Sequence, residues 1–530
     1  MDTKALRQKI LDLAIRGKLV PQDPNDEPAS VLLERIREQK QQMFKEGKLK
    51  KKDIKNDSII FVGEDNLHYE KFADGTVKCI EDEIPFEVPE GWEWARIASV
   101  SSIVTDGEHK TPHRCENYSG YYLLSARNIQ NSFLLLDNVD YVDREEYSRI
   151  SKRCNPKRND VLISCSGSVG RVAVVEDDNH YVMVRSAAMI RFINLNPYFG
   201  MYALQSHFLQ LQIQKSSKQT AQANLFQGAI LNLLLPIPPF KAQREIAKKV
   251  SGLFKDIHEI ENEKIIIDDL LKRTKAKILD MAIRGKLVPQ NPDDEPASAL
   301  LKRIRAKKKE LVKQRKIKRD KKESIIFKGE DNSYYEKIES VIRCINSEIP
   351  FKIPDGWAYE RLGNICSVAR GGSPRPIENY LTDDKNGLNW IKIGDTEQGG
   401  KYIFSTKEKI RSDGLNKTRY VHCGDFLLTN SMSFGRPYIL KTDGCIHDGW
   451  LVIGEVETVF NQDFLYYMLS SSAMYNALSI LAAGSTVKNL KSDSVKSLIV
   501  PIPPIEEQKA IATQVETLLT ITAQVEKSLS

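Results

Sequence analysis

Several features that would assign this 530-residue chain to a common class are missing from it. It has no run of about 18 apolar residues, which argues against a membrane-crossing helix. None of its eight cysteines forms a Cys-x-x-Cys pair, so we expect scattered, reduced thiols. His422 with Cys423, and Cys445 with His447, lack the tight loop spacing of zinc sites. The N-terminus leads into an amphipathic stretch and not an apolar signal core, so we expect a cytoplasmic protein.

Signatures of catalysis are missing as well. No Gly-x-x-x-x-Gly-Lys-Ser/Thr loop is available to hold nucleotide phosphates, and no glycine-rich turn suits S-adenosylmethionine. Residues 196–199, Asn-Pro-Tyr-Phe, resemble a damaged methyltransferase loop, but their counterpart at 461–464 shares the asparagine without the Pro-Tyr that follows it. We interpret Asn196 and Asn461 as helix caps, with Pro197 as a helix opener. The sequence predicts no catalytic residue, metal ligand or cofactor in this chain.

The net charge of +7 is concentrated in two segments. Residues 302–322 carry thirteen Lys or Arg and two acidic residues, and residues 40–55 carry seven Lys and two acidic residues. The rest of the chain is therefore acidic, with a net charge of −9. Basic runs of this kind suit contacts with nucleic-acid phosphates, although a solvated helix face has the same composition.

The chain contains one module written twice. Residues 10–40 and 278–308 are identical at 24 of 31 positions, and Pro-Ile-Pro-Pro closes each copy at 236–239 and 501–504. In each copy a helical segment leads into a long mixed region of short strands and helices. A second helical element then follows the Pro-Ile-Pro-Pro segment.

A heptad pattern with alternating steps of four and three residues predicts a long central helix. It is carried mainly by Ile246, Val250, Leu253, Ile257, Ile260, Ile267, Leu271, Ile278 and Met281, and Gly285 and Pro289 stop it. We expect a further helix from Pro296 to Lys322. A second copy of the seam is divided between the chain ends, at Ile511, Val515, Leu518, Thr522, Val525 and Leu529, and at Leu6, Ile10 and Leu13.

These patterns predict an α+β protein that is circularly permuted and has pseudo-two-fold symmetry. Two globular domains would be separated by an antiparallel two-helix coiled coil. The expected segments are 1–57 (helical), 58–239 (first globular domain), 240–322 (central coiled-coil region), 323–503 (second globular domain) and 504–530 (C-terminal helix, paired with the central one). The helical segments of the two copies are nearly identical, whereas the polar loops of the globular domains differ.

The loops carry side chains suited to DNA. Arg and Asn or Gln recognise bases, whereas Ser, Thr and Lys bind phosphates. The candidate DNA-binding residues of the first copy are His109, Lys110, Thr111, His113, Arg114, Arg127, Asn128, Ser166, Ser168, Arg171, Lys218 and Gln219. Those of the second copy are Arg370, Ser373, Arg375, Lys392, Asp395, Asn430, Ser431, Ser433, Arg436, Lys488 and Asn489.

Taken together, these segments resemble the specificity (S) subunit of type I restriction-modification systems, the HsdS family. The similarity is carried by residues 236–247 and 501–512, the loop Asp-Gly-Glu-His-Lys-Thr-Pro at 106–112, the run at 371–376, and the repeated Ile-Arg-Gly-Lys-Leu-Val-Pro-Gln. The resemblance implies two target recognition domains and a bipartite, asymmetric target in double-stranded DNA. It also implies two methylation (M) subunits and restriction (R) subunits as partners. S-adenosylmethionine, ATP and Mg²⁺ would then belong to those partner subunits.

Two alternatives remain beside this hypothesis. The chain could be a free-standing enzyme fused to a DNA reader, against which the missing cofactor loops argue. It could also be a DNA-binding coiled-coil scaffold or regulator without an enzyme partner. Co-purification with a methyltransferase would contradict the second alternative.

Overall fold

The computed structural model of the chain describes residues 2–217, 223–315, 323–397, 399–430, 434–482 and 489–529. The chain divides into two compact units, residues 1–263 and 264–530, each of mixed helix and sheet. The prediction of a duplicated α+β fold is confirmed to this extent. Within the described residues, no helix has both the length and the apolar character needed to cross a membrane.

The first unit contains nine helices and twelve strands among its described residues. The helices are α1 (Thr3–Ile15), α2 (Ala29–Lys45), α3 (Lys51–Ile54), α4 (Ile97–Val100), α5 (Arg144–Ile150), α6 (Pro197–Gln205), α7 (His207–Ser217), α8 (Gln227–Leu231) and α9 (Phe240–Ile283), which ends in the second unit. The strands are β1 (Ser58–Val62), β2 (His68–Phe72), β3 (Val77–Cys79), β4 (Glu93–Arg96), β5 (Ser101–Asp106), β6 (Tyr121–Leu124), β7 (Asp140–Tyr141), β8 (Val161–Ser164), β9 (Val172–Val174), β10 (His180–Met183), β11 (Ala187–Phe192) and β12 (Leu234–Ile237).

The second unit repeats this order with some additional strands. Its helices are α10 (Ala297–Lys313), α11 (Leu362–Ile365), α12 (Gln462–Ser470), α13 (Ser472–Leu481), α14 (Ser492–Lys496) and α15 (Ile505–Leu529). Its strands are β13 (Ser324–Lys328), β14 (Tyr334–Ile338), β15 (Val341–Cys344), β16 (Ala358–Arg361), β17 (Ser367–Arg370), β18 (Leu381–Thr382), β19 (Leu388–Ile391), β20 (Tyr402–Ile403), β21 (Glu408–Ile410), β22 (Arg419–Val421), β23 (Phe426–Thr429), β24 (Pro437–Leu440), β25 (Gly444–Ile446), β26 (Trp450–Gly454) and β27 (Ile499–Ile502).

Where the chain is described, each unit has four sheets in corresponding positions. In the first unit the strand orders are β1-β2-β3, β12-β4, β5-β11-β8-β9 and β10-β6-β7. In the second they are β13-β14-β15, β16-β27, β17-β26-β23-β24-β20 and β18-β21-β19-β25-β22. The central strands β8 and β23 are buried along their whole length, as expected for continuous apolar runs. These buried strands support the loops that carry the candidate residues.

The repeated Pro-Ile-Pro-Pro segment is followed in both units by a buried glutamine. Nε2 of Gln243 donates to the carbonyl of Pro238 at 2.9 Å, and its Oε1 accepts from the backbone of Asn196 at 2.9 Å. Gln508 makes the equivalent bond to the backbone of Asn461 at 2.8 Å. Because buried polar groups are costly unless they are paired, these contacts fix the long helix against the globular part.

The two asparagines are helix caps, as predicted from the sequence. Oδ1 of Asn196 accepts from Phe199 at the start of α6, and Oδ1 of Asn461 accepts from Phe464 at the start of α12, both at 3.0 Å. Pro197 is the first residue of α6. The side-chain oxygens therefore satisfy backbone donors that the first helical turn leaves free.

The glycine of the repeated Ile-Arg-Gly-Lys lies at a close approach in both units. Gly17 has a φ of +65°, and a Cβ there would lie 2.4 Å from Cγ of Pro89. Gly285 has a φ of +63°, with the same distance to Cγ of Pro354. Any side chain would clash at this contact, and the positive φ further favours glycine.

The predicted central helix is confirmed as α9, although its seam is not buried throughout. Within the first unit, Arg7 pairs with Glu261 of α9 at 2.7 Å. Ile260 of the seam is 45% exposed, and Leu6 and Val525 are 38% and 40% exposed. The seam residues Ile246, Val250 and Ile257 pack into the core of the first unit. The coiled coil, the pseudo-two-fold symmetry and the expected segment boundaries stay predictions.

The basic helix of the second unit is shorter than the sequence predicts. The pattern predicts a helix to Lys322, but α10 ends at Lys313 and Gln314 caps it. Residues 316–322 lie outside the described part of the chain. The corresponding helix α2 ends at Lys45, just ahead of Gly47, whose φ is +74°.

Candidate nucleic-acid interface

The loop after β5 in the first unit is held by two arginines that the sequence analysis did not single out. Arg153 binds the Asp106 carboxylate, and Nε2 of His109 lies 2.7 Å from Oδ2 of the same residue. Arg149 of α5 pairs with Glu108 at 3.1 Å. Both acidic side chains of the loop are thus neutralised from outside it, while the two arginines stay 42% and 43% exposed.

A single carboxylate brings together two of the predicted arginines. Nε of Arg114 lies 2.9 Å from Oδ2 of Asp140, and Nη2 of Arg127 lies 2.7 Å from its Oδ1. Because the two arginines remain 48% and 55% exposed, those of their N–H groups that bind no described residue can reach a phosphate or a base edge. The neighbouring predicted residues Lys110, Thr111 and His113 are exposed beside them.

Two predicted residues of the first unit have internal roles. Asn128 is 2% exposed, and its Oδ1 accepts from the backbone of Ser125 at 2.9 Å. Arg171 donates from Nη1 to Oε1 of Gln130 at 2.8 Å and from Nη2 to the carbonyl of Ala126 at 3.2 Å. Both side chains therefore brace the loop that carries Arg127. We place them behind the candidate surface and not on it.

The remaining predicted residues of this unit are at its edge. Ser168 is exposed, and Ser166 is half-buried where its backbone pairs with Asn224. Lys218 and Gln219 lie outside the described residues. Nothing in the structure bears on those two candidates.

In the second unit the equivalent loop is organised around Asp448. Nε of Arg370 donates to the carbonyl of Asp448 at 2.9 Å, and Oγ of Ser373 donates to its Oδ1 at 2.9 Å. Nη2 of Arg375 lies 3.2 Å from its Oδ2, and the Arg375 side chain is 80% exposed. The aspartate thus gathers three predicted residues that are separated from it by more than 70 positions.

The surroundings of Asp448 favour its ionised form. Burial opposes ionisation of Asp448, but the hydrogen bond from Ser373 and the charges of His447, Arg375 and Arg370 outweigh it and lower the pKa of the carboxyl. Burial lowers the pKa of His447, against a smaller opposing effect of Asp448. The carboxylate is therefore charged at neutral pH, while the imidazole favours its neutral form.

A cavity of about 620 Å³ opens beside this loop. Its lining includes Arg375, Trp390, Lys392 and His447. Nζ of Lys392 pairs with Glu408. The predicted residue Asp395 serves the backbone, since its Oδ2 accepts from Lys392 N at 2.8 Å. Because the indole of Trp390 is only 2% exposed, it belongs to the cavity wall, and the exposed guanidinium of Arg375 is the group that suits hydrogen bonding to a nucleobase or phosphate.

Arg436 differs from its counterpart Arg171 in the surroundings of its guanidinium. It is exposed, and its guanidinium has no hydrogen-bond or ion-pair partner among the described residues. It borders a cavity of about 590 Å³ together with Tyr466 and Tyr475. The predicted residue Asn430, by contrast, is fully buried and donates to the carbonyl of Asp448 at 2.7 Å.

The other candidates of the second unit are less informative. Asn489 is half-buried, and its Oδ1 has no hydrogen-bond partner within the described part of the chain. Ser431, Ser433 and Lys488 lie outside the described residues. No group of three His, Cys, Asp or Glu side chains that could hold a metal ion occurs where the structure is described.

Sequence reasoning missed Arg149, Arg153 and Asp448 for different reasons. Arg149 lies in the last turn of α5, whereas Arg153 lies in the turn after the helix, so no helical spacing in the sequence relates the two. Asp448 has no local signal, because its partners come from a distant loop. The role of Asp448 is apparent only in the fold, where β17 pairs with β26.

The comparisons with known proteins agree with the duplicated architecture. The model of the type I restriction modification DNA specificity domain matches residues 89–267 and 354–530, about two thirds of the chain. The chain belongs to this family. The resemblance found in the sequence is thereby confirmed. Members of the family are non-catalytic specificity subunits that recognise DNA, so the loops above are this specificity subunit's candidate DNA contacts.

Relatives extend over most of the specificity subunit. The EcoEI specificity subunit of Escherichia coli is 24% identical over 99% of this chain and 90% of its own length. The EcoAI specificity subunit of Escherichia coli is 27% identical over 69% of this chain and 63% of its own length. The HsdS subunit from Thermoanaerobacter tengcongensis has a TM-score of 0.50 at 16% identity, covering 84% of this chain and 94% of that one. This last likeness shows a shared fold.

Proposed function

We propose that this specificity subunit recognises a bipartite, asymmetric DNA target, with one half-site for each unit. It would direct two methylation subunits, which modify adenine, and the restriction subunits to that target. S-adenosylmethionine, ATP and Mg²⁺ would be bound by those partners. The chain itself would supply sequence recognition and the framework on which the partners assemble.

The observation that carries this proposal is the inverted ion pairing of two equivalent loops. In the first unit the loop supplies the acids Asp106 and Glu108, and the arginines come from outside it. In the second unit the loop supplies Arg370 and Arg375, and the acid comes from outside. Equivalent positions of the two loops thus carry opposite charges, with Asp106 in the first unit and Arg370 in the second, which favours two different half-sites over a palindrome.

Exchange of a recognition domain tests the assignment. Residues 58–239 would be replaced by the corresponding domain of another family member, and residues 323–503 would be replaced in a second, matched chimera. Sequencing of modified bases in cells that express the assembled complex should show one half of the methylated target altered by each exchange. A single exchange that altered both halves would contradict the one-unit, one-half assignment.

The alternative is a DNA-binding scaffold without an enzyme partner. Purification of the chain from cells that co-express a type I methylation subunit separates the two hypotheses. A stable complex with methyltransferase activity supports the specificity-subunit function. A chain that binds DNA but never retains a methyltransferase would support the scaffold.

A further inference from the structure

Each unit carries a small three-stranded sheet whose outer face is apolar and exposed. In the first unit cross-strand pairing places two rows on this face, Ile59-Lys71-Val77 and Phe61-Tyr69-Cys79. In the second unit the rows are Ile325-Lys337-Ile342 and Phe327-Tyr335-Cys344. We call these six-residue surfaces the outer faces. They differ at one position, where Val77 corresponds to Ile342.

The opposite face attaches each sheet to its unit. Glu70 is 3% exposed and binds Arg96, with Nη2 to Oε2 at 2.8 Å. In the second unit Glu336 is fully buried and pairs with Arg361. The sheets are therefore held in place from behind by buried ion pairs.

The exposure of the outer faces is reproduced from one unit to the other. Phe61 and Phe327 are each 39% exposed, and Val77 and Ile342 are 53% and 55% exposed. The rings of Phe61 and Tyr69 stack with centroids 5.9 Å apart, as do those of the second unit. Contiguous apolar patches of this kind on a soluble protein mark surfaces that bind a partner.

These sheets lie inside the predicted segments 58–239 and 323–503, but ahead of the part of each unit that the family model matches. The family model begins at residue 89 in the first copy and at 354 in the second, after both sheets. The recognition loops of the two copies have diverged so far that the acidic and basic partners of their ion pairs are exchanged. The outer faces, by contrast, have kept their chemistry. Because the outer faces of the two units are nearly identical while the recognition loops differ, both faces are expected to contact the same kind of partner.

We propose that the two outer faces dock two copies of one partner, the methyltransferase subunit; this rests on the proposed function. The partner's surface would be apolar at its centre and acidic around it. The charge supports this choice, since Lys71 and Lys337 lie within the faces and the described parts of the nearby basic segments, 40–55 and 302–315, carry +5 and +7. With one lysine among six residues, the faces lack the polar groups of a DNA-binding surface.

The number of methyltransferase subunits bound to the full chain tests the proposal. Native mass spectrometry of the co-expressed complex should show two copies bound to the wild-type chain. Phe61→Glu or Phe327→Glu should leave one tightly bound copy, with the affinity for the other reduced about 30-fold, as for a central aromatic contact. The double variant should lose both copies. Two tightly bound copies on the double variant would overturn the proposal.

The chain offers a matched control in the neighbouring residues of the same strands. Val62 and Lys328 point to the other side of β1 and β13, and both are exposed. Val62→Glu with Lys328→Glu should retain two methyltransferase copies. Loss of both copies in this control would show that added negative charge, and not the outer face, is responsible, and would overturn the proposal.

Native cysteines supply an independent measurement without any substitution. Cys79 and Cys344 are exposed on the outer faces, whereas Cys423 is exposed elsewhere. Maleimide labelling read by mass spectrometry should be slowed at Cys79 and Cys344 in the complex and unchanged at Cys423. Unchanged labelling at all three would overturn the docking site. Protection of Cys79 and Cys344 by DNA alone would also overturn it, in favour of a nucleic-acid surface.

These outcomes can be distinguished from failure of the proposed function. If the wild-type chain retains no methyltransferase subunit at all, the proposed function itself fails. If the wild-type chain retains two copies and the double variant also does, the function stands and the docking site is wrong.

Discussion

Arg171 and Arg436 occupy equivalent positions in the two units, and the structure predicts that removing them has opposite consequences. Arg171 donates two hydrogen bonds to the loop at 126–130, at 2.8 and 3.2 Å. Hydrogen bonds from a charged donor contribute about 1.5 kcal/mol or more each. Arg171→Ala should therefore cost about 3 kcal/mol and lower the melting temperature of the first unit by roughly 5–10 °C.

Arg436→Ala should leave stability almost unchanged, because the exposed guanidinium has no partner within the described chain. Its expected effect is on DNA binding, where loss of a base or phosphate contact costs about 1–3 kcal/mol, or roughly 5–150-fold in affinity. The loss of DNA affinity is measured by fluorescence anisotropy of the assembled complex on its methylated target sequence. The measurement is repeated at several salt concentrations. A phosphate contact would reduce the slope of log affinity against log salt by about one.

Arg436→Lys separates the two kinds of contact. Lysine keeps the charge but loses the planar, two-pronged donor set of arginine, so it should restore phosphate binding and not base recognition. The reasoning would be refuted if Arg436→Ala lowered the melting temperature as much as Arg171→Ala did. It would also be refuted if Arg436→Ala bound the target as the wild type does.

Two further predictions concern the second unit. Asp448→Ala should release Arg370, Ser373 and Arg375 and weaken DNA binding about 10-fold through loss of loop order. The control Asp413→Ala removes an exposed ion pair with Arg411 and should leave DNA binding unchanged. Equal affinities for the two variants would contradict the central role of Asp448. Burial opposes ionisation of Glu336, but hydrogen bonds from Arg361, Ser324 and Arg343 outweigh it and lower its pKa from 4.5 to about 2. A lowered pKa in the folded state gives stability that is present above pH 4.5 and is lost as the pH falls towards 2. Urea unfolding between those pH values should therefore show a steeper loss for the wild type than for Glu336→Gln, and parallel curves would rule out this ion pair as the cause.

The sequence predicts most of what is local or repeated. The repeat itself, the caps at Asn196 and Asn461 and the central helix α9 follow from spacing, because each depends on neighbours along the chain. The end of α10 does not follow from the sequence, since basic residues continue without a break beyond Lys313. The exposure of Ile260 does not follow either, because heptad spacing shows which face is apolar and not what covers it.

The candidate site is harder to predict, for a related reason. Composition identifies loops rich in Arg, Asn and Ser, but it does not distinguish a side chain that braces a loop from one that faces outwards. Asn128 and Asn430 look like base-reading residues in the sequence and are buried in the structure. Arg171 and Arg436 share one motif and have different surroundings. The difference depends on Gln130 and Ala126, more than 40 positions away from Arg171.

The inverted ion pairs limit how new target sequences can arise in this protein. A short splice that moved the loop at 369–375 into the first unit would place Arg370 where Asp106 stands, so that Arg153 would face a like charge in place of its acidic partner. A crossover in the repeated helices would instead carry each loop together with its counter-charge, because the whole region between them moves as one. The nearly identical residues 10–40 and 278–308 provide such crossover points. If each unit reads one half-site, as proposed, recombination in the repeated helices should change the recognised sequence by whole half-sites.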